Sequence, residues 1–185
     1  MLEKNLRKGL KRRFKRLAEQ GDITLHVYKQ NDFDKALAIL PEFLSTHALR
    51  WPNAYKAKHF HENILRNGMP AGIVHFSELR LNDKPISWRL GFVDRDRYYA
   101  YMSAFNSNFE LFSPGKIHRL KTIEEAICLQ LKIYDCLRGT ENYKNKLASH
   151  INNLYDFTVR RKCLSSWAKC IALDSIKTMV TPAKS

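Results

Sequence analysis

The sequence predicts an α+β domain in which helices pack on a mostly antiparallel sheet, and three observations support this fold class. Three consecutive segments with a two-residue apolar period are separated by short turns, which predicts an antiparallel meander. Segments with a helical apolar period come before and after these strands. The chain has 185 residues, of which 44% are hydrophobic and 27% charged, as expected of one folded domain.

Residues 1–21 form a basic segment that predicts an amphipathic helix, in which apolar residues recur at helical spacing and Gly21 follows as a stop. Most such helices pack on their own domain with a solvated charged face, although a basic helix also suits anionic lipid or nucleic acid phosphates. A third interpretation is a link to an upstream domain. We assign residues 1–21 to a basic helix or linker and residues 22–180 to the folded domain, whose core we expect to form without the helix.

The segment between this helix and the meander predicts one strand and two helices. Residues 23–29 alternate between apolar and polar and predict a strand. Asp32 suits the start of a helix that we expect to kink at Pro41. A second helix is predicted over residues 57–66, ending at Gly68.

The meander is predicted over residues 73–81, 86–93 and 98–105. In its middle strand the large apolar residues share one face, which consists of Ile86, Trp88, Leu90 and Phe92. The other face carries Ser87, Arg89 and Gly91. We therefore expect one side of the sheet to pack on helices and the other side to be less apolar.

The helix after the meander, predicted to end near residue 130, begins with a Ser-Pro-Gly sequence. Ser113 suits the N-cap, Pro114 the first helical position, and Gly115 allows a close approach to the backbone. Unpaired N–H groups and the positive end of the dipole make such a start an anion site, and Lys116 and Arg119 add positive charge. Taken alone, the sequence is also an ordinary helix start.

The end of the chain is predicted to contain a strand over residues 131–137, a short helix over residues 143–149 and a last strand near residues 153–162. Within it, Asp135 shares a strand face with Ile133 and Leu137, so its carboxylate should be partly buried and should need a cationic partner. We expect Arg138 or Lys144 to be that partner.

Several classes of protein are excluded by absent motifs. Neither the four cysteines nor the seven histidines show a metal-binding spacing, so we predict no metal site. The sequence has no Walker loop, nucleophile elbow or His-Glu-x-x-His pair. It also has no apolar run near the roughly 20 residues of a membrane span and no secretory signal, so we expect a cytoplasmic protein. The net charge of +14 does not by itself identify a partner.

The order of the predicted elements resembles the GNAT acyltransferase superfamily. That resemblance implies α/β/α layers around a mixed, mostly antiparallel sheet. It also implies that the helix after the meander binds the pyrophosphate of acyl-coenzyme A, and that the pantetheine arm runs between the third meander strand and residues 131–137. The superfamily's usual loop, Arg or Gln-x-x-Gly-x-Gly or Ala, is absent, and Ser113-Pro114-Gly115 stands in its place.

Two motifs restrict this resemblance to one branch of the superfamily. "FSPGKIHRL" followed by "YDCLRGTENYK" is similar to the CelD-like, FemAB-related acetyltransferases, which carry a Ser-Pro-Gly helix start and an Asp-x-x-Arg-Gly-x-x-x-Tyr-Lys motif. Members commonly contain two GNAT-like domains, and this chain matches the second. The resemblance implies acetyl-CoA or another acyl-CoA as co-substrate. The cofactor-binding candidates are Ser113, Pro114, Gly115, Lys116 and Arg119.

The motif after the fifth strand supplies most of the other site candidates, and each has a structural alternative. Tyr143 is implied as the acid that protonates the departing thiolate, or else it is a core tyrosine. Asp135 is a catalytic candidate, or with Arg138 it fixes the turn around Gly139. The substrate-binding candidates are Arg138, Glu141 and Lys144. Lys144 could hold an anionic acceptor, although a surface lysine is commoner, and Glu141 by default is solvated. The candidates for the general base are His75 and Glu78, and a water chain would serve as well.

The predicted function is transfer of an acetyl or related acyl group to an amine or hydroxyl, for example on a saccharide or cell-envelope precursor. The binding partners would be acyl-CoA and a small-molecule or saccharide acceptor. A protein partner would be a second copy of the chain or an upstream GNAT-like half. The alternative is a catalytically inactive GNAT-like basic module that binds nucleic acid or an anionic membrane surface.

Overall fold

A computed structural model describes residues 4–54, 57–139, 141–155, 157 and 159, with side chains from Lys8 onward. Internal contacts divide the chain into two units, residues 1–149 and 150–185. Most of the second unit, including most of the predicted last strand, lies outside the described residues, and the part that is described there contains no helix or strand. All of the elements below belong to the first unit.

The first unit contains five α-helices, two short 3₁₀ helices (Gln30–Asp32 and Ser107–Phe112) and five strands among the described residues. In chain order the α-helices and strands are α1 (Lys4–Ala18), β1 (Ile23–Tyr28), α2 (Phe33–Arg50), α3 (Phe60–Gly68), β2 (Val74–Leu81), β3 (Lys84–Asp94), β4 (Arg97–Phe105), α4 (Pro114–Cys128), β5 (Ile133–Asp135) and α5 (Asn142–Leu147). Within the part of the chain that the structure describes, none of these helices is long and apolar enough to span a membrane.

The strands form one sheet in the order β1-β2-β3-β4-β5. The pairs β1–β2, β2–β3 and β3–β4 are antiparallel, and the pair β4–β5 is parallel. The predicted elements of this unit therefore occur in the predicted order. Strand β5 is shorter than predicted, since it covers residues 133–135 of the predicted 131–137, and Leu137 at the predicted end has a left-handed backbone conformation with φ of 56°.

Helix α2 continues through Pro41, where the sequence predicts a kink between two segments. Proline removes one helical hydrogen bond, but Leu40 and Phe43 on either side of it are almost fully buried. Burial of these apolar side chains on the sheet offsets the lost bond.

Helices cover both faces of the sheet, which confirms the predicted α/β/α arrangement. The core under α2 and α3 contains Tyr28, Ala36, Leu40, Phe43, Leu65, Met69, Phe76, Trp88, Leu90, Met102 and Ala104. The core under α1 and α4 contains Leu17, Leu79, Leu81, Ile86 and Ile117. Ile86 lies in this second core instead of beside Trp88 because the pairing of β2 with β3 shifts register between Leu79 and Arg80.

Helix α1 contributes to the core, which differs from the expectation that the core forms without it. Leu17 is fully buried and Leu10 is 6% exposed. Leu17 packs with Leu79, Leu81 and Ile117, and Phe14 packs at the margin of the same cluster. The division of the chain at residue 21 stays a prediction.

Candidate active site

The pairing of β4 with β5 stops well before β4 ends. Only Arg97, Tyr98 and Tyr99 pair with β5, although β4 continues to Phe105. Within the described residues, the edge of β4 from residue 100 to residue 105 therefore has no β5 partner. We call this unpaired stretch beside β5 the β4–β5 gap. Gly115, in the first turn of α4, packs on Phe105 at the end of the gap, since a Cβ added to Gly115 would lie 3.3 Å from Phe105 Cδ1.

The start of α4 has the predicted position and an unpredicted conformation. Ser113 occupies the N-cap with a left-handed φ of 53°, and its side chain makes no capping hydrogen bond. Its carbonyl accepts from the N–H of Lys116 at 3.0 Å and of Ile117 at 3.3 Å. Among the described turn and cap hydrogen bonds, the N–H of Gly115 has no acceptor. Because that amide points out of the helix start, it remains a candidate for binding an anion.

Arg119 and Tyr143, which the sequence assigns to different roles, contact each other. The Arg119 guanidinium lies over the Tyr143 ring, 3.7 Å from its centroid. This cation–π contact joins α4 to α5. Burial lowers the pKa of Arg119, and the like charge of nearby Arg89 lowers it further. Arg119 therefore lies against α5 and the end of β5 rather than at the helix start.

Lys144 is a buried residue that closes the turn around Gly139. Its Nζ donates to the carbonyl of Arg138 at 2.6 Å and of Leu137 at 3.3 Å, and it pairs with Glu141 at 3.0 Å. An ammonium group has three N–H donors, so these acceptors occupy all of them. The default expectation of a surface lysine is therefore wrong for Lys144, whereas Glu141 is exposed as expected and also pairs with Lys144.

We expect Lys144→Met to lower the free energy of unfolding by about 1–3 kcal/mol, because it leaves the carbonyls of Leu137 and Arg138 without their donor. Chemical denaturation measures this loss. Lys146→Met is the matched control, since Lys146 is an exposed lysine in the same helix. Unchanged stability in Lys144→Met, together with lost affinity for an acceptor, would instead support the substrate-binding role.

Asp135 pairs with Arg97, and the expected partners Arg138 and Lys144 are both wrong. Its Oδ2 lies 3.3 Å from Arg97 Nη1, and its Oδ1 accepts from the N–H of Leu137 at 2.8 Å. Asp135 is in register with Tyr99, and Arg97 is two residues before Tyr99 on the same face of β4. Strand register therefore selects the partner. The catalytic role of Asp135 stays a prediction.

The two candidates for the general base lie on opposite faces of the sheet. His75 is on the α4 face, with Nε2 3.1 Å from Glu125 Oε2 and Nδ1 3.4 Å from the Tyr98 hydroxyl. Glu78 is on the α2 face, where its fully buried carboxylate accepts from Arg80 at 2.7 Å. One acceptor substrate cannot contact both faces of the sheet at once. At most one of His75 and Glu78 can therefore be the general base.

Arg89 is a site residue that the sequence analysis did not single out. It lies on the α4 face of β3, where its Nη1 donates to the Tyr134 hydroxyl at 3.3 Å. The Tyr134 ring stacks on Tyr98 with centroids 4.9 Å apart. Beside it, His118 lies between the hydroxyls of Ser77 and Ser87, at 3.0 and 3.1 Å. An arginine in the middle of a central strand was the available sequence signal, because a charge there needs a partner.

A family model described as an acetyltransferase (GNAT) domain matches residues 4–145. The chain belongs to the GNAT acetyltransferase family. The GNAT match includes α1 and every element through β5. No curated protein sequence matches the chain. The CelD-like, FemAB-related branch stays a prediction.

Solved structures with the same GNAT fold share little sequence with the chain. An aminoglycoside acetyltransferase, meta-AAC0020 from an uncultured soil metagenomic sample, in complex with sisomicin, has a TM-score of 0.54 and 10% identity over 76% of this chain and 97% of that one. A second aminoglycoside acetyltransferase, HMB0005 from an uncultured soil metagenomic sample, has a TM-score of 0.55 and 11% identity, and the match covers 75% of this chain and 99% of that one. The C-terminal domain of a putative lysylphosphatidylglycerol synthetase from Agrobacterium fabrum has a TM-score of 0.52 and 12% identity. That match covers 72% of this chain and 41% of the other. At these identities the similarities show the fold alone.

GNAT acetyltransferases use acetyl-CoA, and the described residues of this GNAT domain fit that co-substrate. The β4–β5 gap offers an unpaired strand edge, and the amide of Gly115 lies at the end of the gap. Arg89 and Arg119 add positive charge on the α4 face. Among the described residues, no group of three His, Cys, Asp or Glu is placed to hold a metal ion.

Proposed function

We propose that this GNAT domain transfers an acetyl or related acyl group from coenzyme A to an amine or hydroxyl acceptor at the β4–β5 gap. The observation that carries the proposal is that β5 leaves the edge of β4 after Tyr99, while β4 runs on to the start of α4. An unpaired strand edge presents N–H and C=O groups to an extended partner. The pantetheine arm is such a partner, because it is linear and contains two amide groups.

Acetyl-CoA supplies the activated thioester when it is bound. In this proposal the amide of Gly115 and the charge of Lys116 bind the phosphates at the start of α4. The Tyr143 hydroxyl donates its proton to the departing sulfur. His75 or Glu78, or a water chain, accepts the proton of the acceptor's amine or hydroxyl.

The acceptor class follows from the resemblance to CelD-like and FemAB-related enzymes, and we propose a saccharide or cell-envelope precursor. Amino sugars are the first compounds to test, because they carry both amines and hydroxyls. Aminoglycosides belong in the same set, since two solved neighbours carry the name aminoglycoside acetyltransferase.

Titration calorimetry with acetyl-CoA tests the proposal before any acceptor is known. We expect a dissociation constant in the micromolar range, which corresponds to about 8 kcal/mol. A thiol-release assay over amino sugars and envelope precursors then identifies the acceptor. If acetyl-CoA does not bind, and the chain instead binds DNA or anionic vesicles with strong salt dependence, the inactive basic module is the correct function.

We expect Gly115→Val to weaken acetyl-CoA binding by about tenfold or more. The added side chain would cover the Gly115 amide and push against Phe105, only 3.3 Å from the new Cβ. Calorimetry measures the affinity, and thermal unfolding measures the stability lost to crowding.

The double variant Gly115→Val with Phe105→Leu is the matched control, because the smaller leucine relieves the crowding. It should regain much of the stability while its affinity for acetyl-CoA stays low. Recovery of affinity together with stability would show that Gly115 matters only for packing.

A further inference from the structure

Arg89 is a buried cation with too few partners. It is 4% exposed, and its described hydrogen bond is the one that Nη1 donates to the neutral hydroxyl of Tyr134. Its Nε is buried and has no hydrogen-bond partner in the described part of the chain. A guanidinium stays protonated in proteins, so Arg89 cannot escape the cost of burial by losing its charge.

Nothing described around Arg89 supplies a negative charge. Arg119 is a second cation nearby, since the charge of Arg89 contributes to lowering the pKa of Arg119, and neither arginine has an ion pair among the described residues. Burial raises the pKa of Tyr134 and Cys136 and lowers that of His118 well below its usual range, so all three are neutral. The acidic groups near this region form their ion pairs with other residues: Glu125 with His75, Asp135 with Arg97, and Glu141 with Lys144. Glu141 is also close enough to Arg119 for that charge to help lower the pKa of Glu141, but it forms no ion pair with Arg119 among the described residues.

The two arginines, Arg89 and Arg119, lie next to the β4–β5 gap. Arg89 is in register with Ser103, in the part of β4 that β5 has left. Its side chain extends from there toward β5, where it reaches Tyr134. Arg119 comes from the neighbouring helix and lies against Tyr143. The two guanidiniums therefore lie on the α4 face, next to the gap and apart from the start of α4.

We propose that Arg89 and Arg119 form an oxyanion site that takes a phosphate or carboxylate group of the acyl donor. This inference rests on the proposed acyl-CoA function. A buried cation without a counter-ion costs free energy, and a bound phosphate or carboxylate would supply the counter-charge and the acceptor for Nε. The site is distinct from the amide of Gly115, because Arg89 is on β3 and Arg119 lies about one turn further along α4, where it contacts Tyr143.

The first test uses stability without any thioester. Arg89→Met removes the uncompensated charge and keeps a long apolar side chain, so its melting temperature should equal or exceed that of the wild type. Inorganic pyrophosphate or succinate should raise the melting temperature of the wild type and not that of Arg89→Met. Arg12→Met is the matched control: it removes the same charge from an exposed position in α1 and should behave as the wild type.

The second test separates the two sources of the anion by calorimetry with acetyl-CoA, succinyl-CoA and acetyl-pantetheine. If the group is a phosphate, Arg89→Met should lose about tenfold in affinity for both coenzyme A thioesters and nothing for acetyl-pantetheine, which has no phosphate. If it is a carboxylate of the acyl group, the loss should be confined to succinyl-CoA. Arg89→Lys should retain part of the affinity in either case, because it keeps the charge.

Two outcomes would overturn the inference. One is equal affinity of the wild type and Arg89→Met for all three donors. The other is a large drop in the melting temperature of Arg89→Met without ligand, combined with no stabilisation of the wild type by pyrophosphate or succinate, which would make Arg89 a structural residue. Should the wild type bind no thioester, the proposed function fails, and the response to pyrophosphate and succinate still decides whether the oxyanion site exists.

Discussion

Replacing Tyr143 with Phe should lower turnover by roughly 100-fold or more and leave the affinity for acetyl-CoA nearly unchanged. The phenylalanine ring keeps the packing of α5 and the contact with the Arg119 guanidinium, which lies 3.7 Å from the ring centroid. Only the hydroxyl is lost, so a fall in turnover reports loss of the proton donor. The thiol-release assay, with the acceptor found by screening, measures both kcat and the Michaelis constants.

Tyr155→Phe is the control, since it removes a hydroxyl from a residue that is 73% exposed. It should keep wild-type turnover. If Tyr143→Phe shows only a small effect, the motif around Gly139 is a structural clamp formed by Lys144, and the catalytic groups lie on the meander strands. His75 and Glu78 would then be the first positions to replace.

The parts of the fold that depend on local periodicity could be predicted from the sequence. The alternation in β3 correctly places Trp88 and Leu90 on one face of the sheet and Arg89 on the other. Ile86 could not be placed, because its side depends on a register shift between β2 and β3. Such a shift is set by how two strands fit together, and neither strand shows it alone.

The candidate site was predicted in pieces, and its contacts were not. The helix start at Ser113 and the tyrosine at residue 143 are visible as motifs. The pairing of Asp135 with Arg97 depends on parallel register between strands that are far apart in sequence. The contact between Arg119 and Tyr143 depends on how α4 and α5 pack. Contacts of this kind depend on tertiary structure, so they cannot be predicted from the spacing of residues in the sequence.

The N-terminal helix is an element that was predicted correctly, but its contribution to the core was not. Its apolar stripe and basic face predict an amphipathic helix, and α1 is one. The sequence does not show that α4 alone leaves apolar residues on its face of the sheet for α1 to cover. Leu79, Leu81 and Ile86 are buried there together with Leu17, so the helix supplies a part of the core that α4 alone does not.

We therefore expect deletion of residues 1–20 to abolish the cooperative thermal transition. The deletion removes Leu10 and Leu17 and exposes the apolar residues beneath them, which include Leu79, Leu81, Ile86 and Ile117. It also removes two cation–π contacts to this part of the domain, from Arg16 to Phe112 and from Lys121 to Phe14. Calorimetry or circular dichroism on heating measures the transition.

A point variant tests the same idea without shortening the chain. Leu17→Ala should lower the free energy of unfolding by about 2–5 kcal/mol, since the side chain is fully buried. Leu49→Ala, at a helical leucine that is 85% exposed, should change it little. A cooperative transition that survives the deletion, together with a small effect of Leu17→Ala, would return residues 1–21 to the role of a linker. Because α1 packs against α4, a chain that keeps its transition but loses acetyl-CoA binding would instead mean that α1 holds the start of α4 in place.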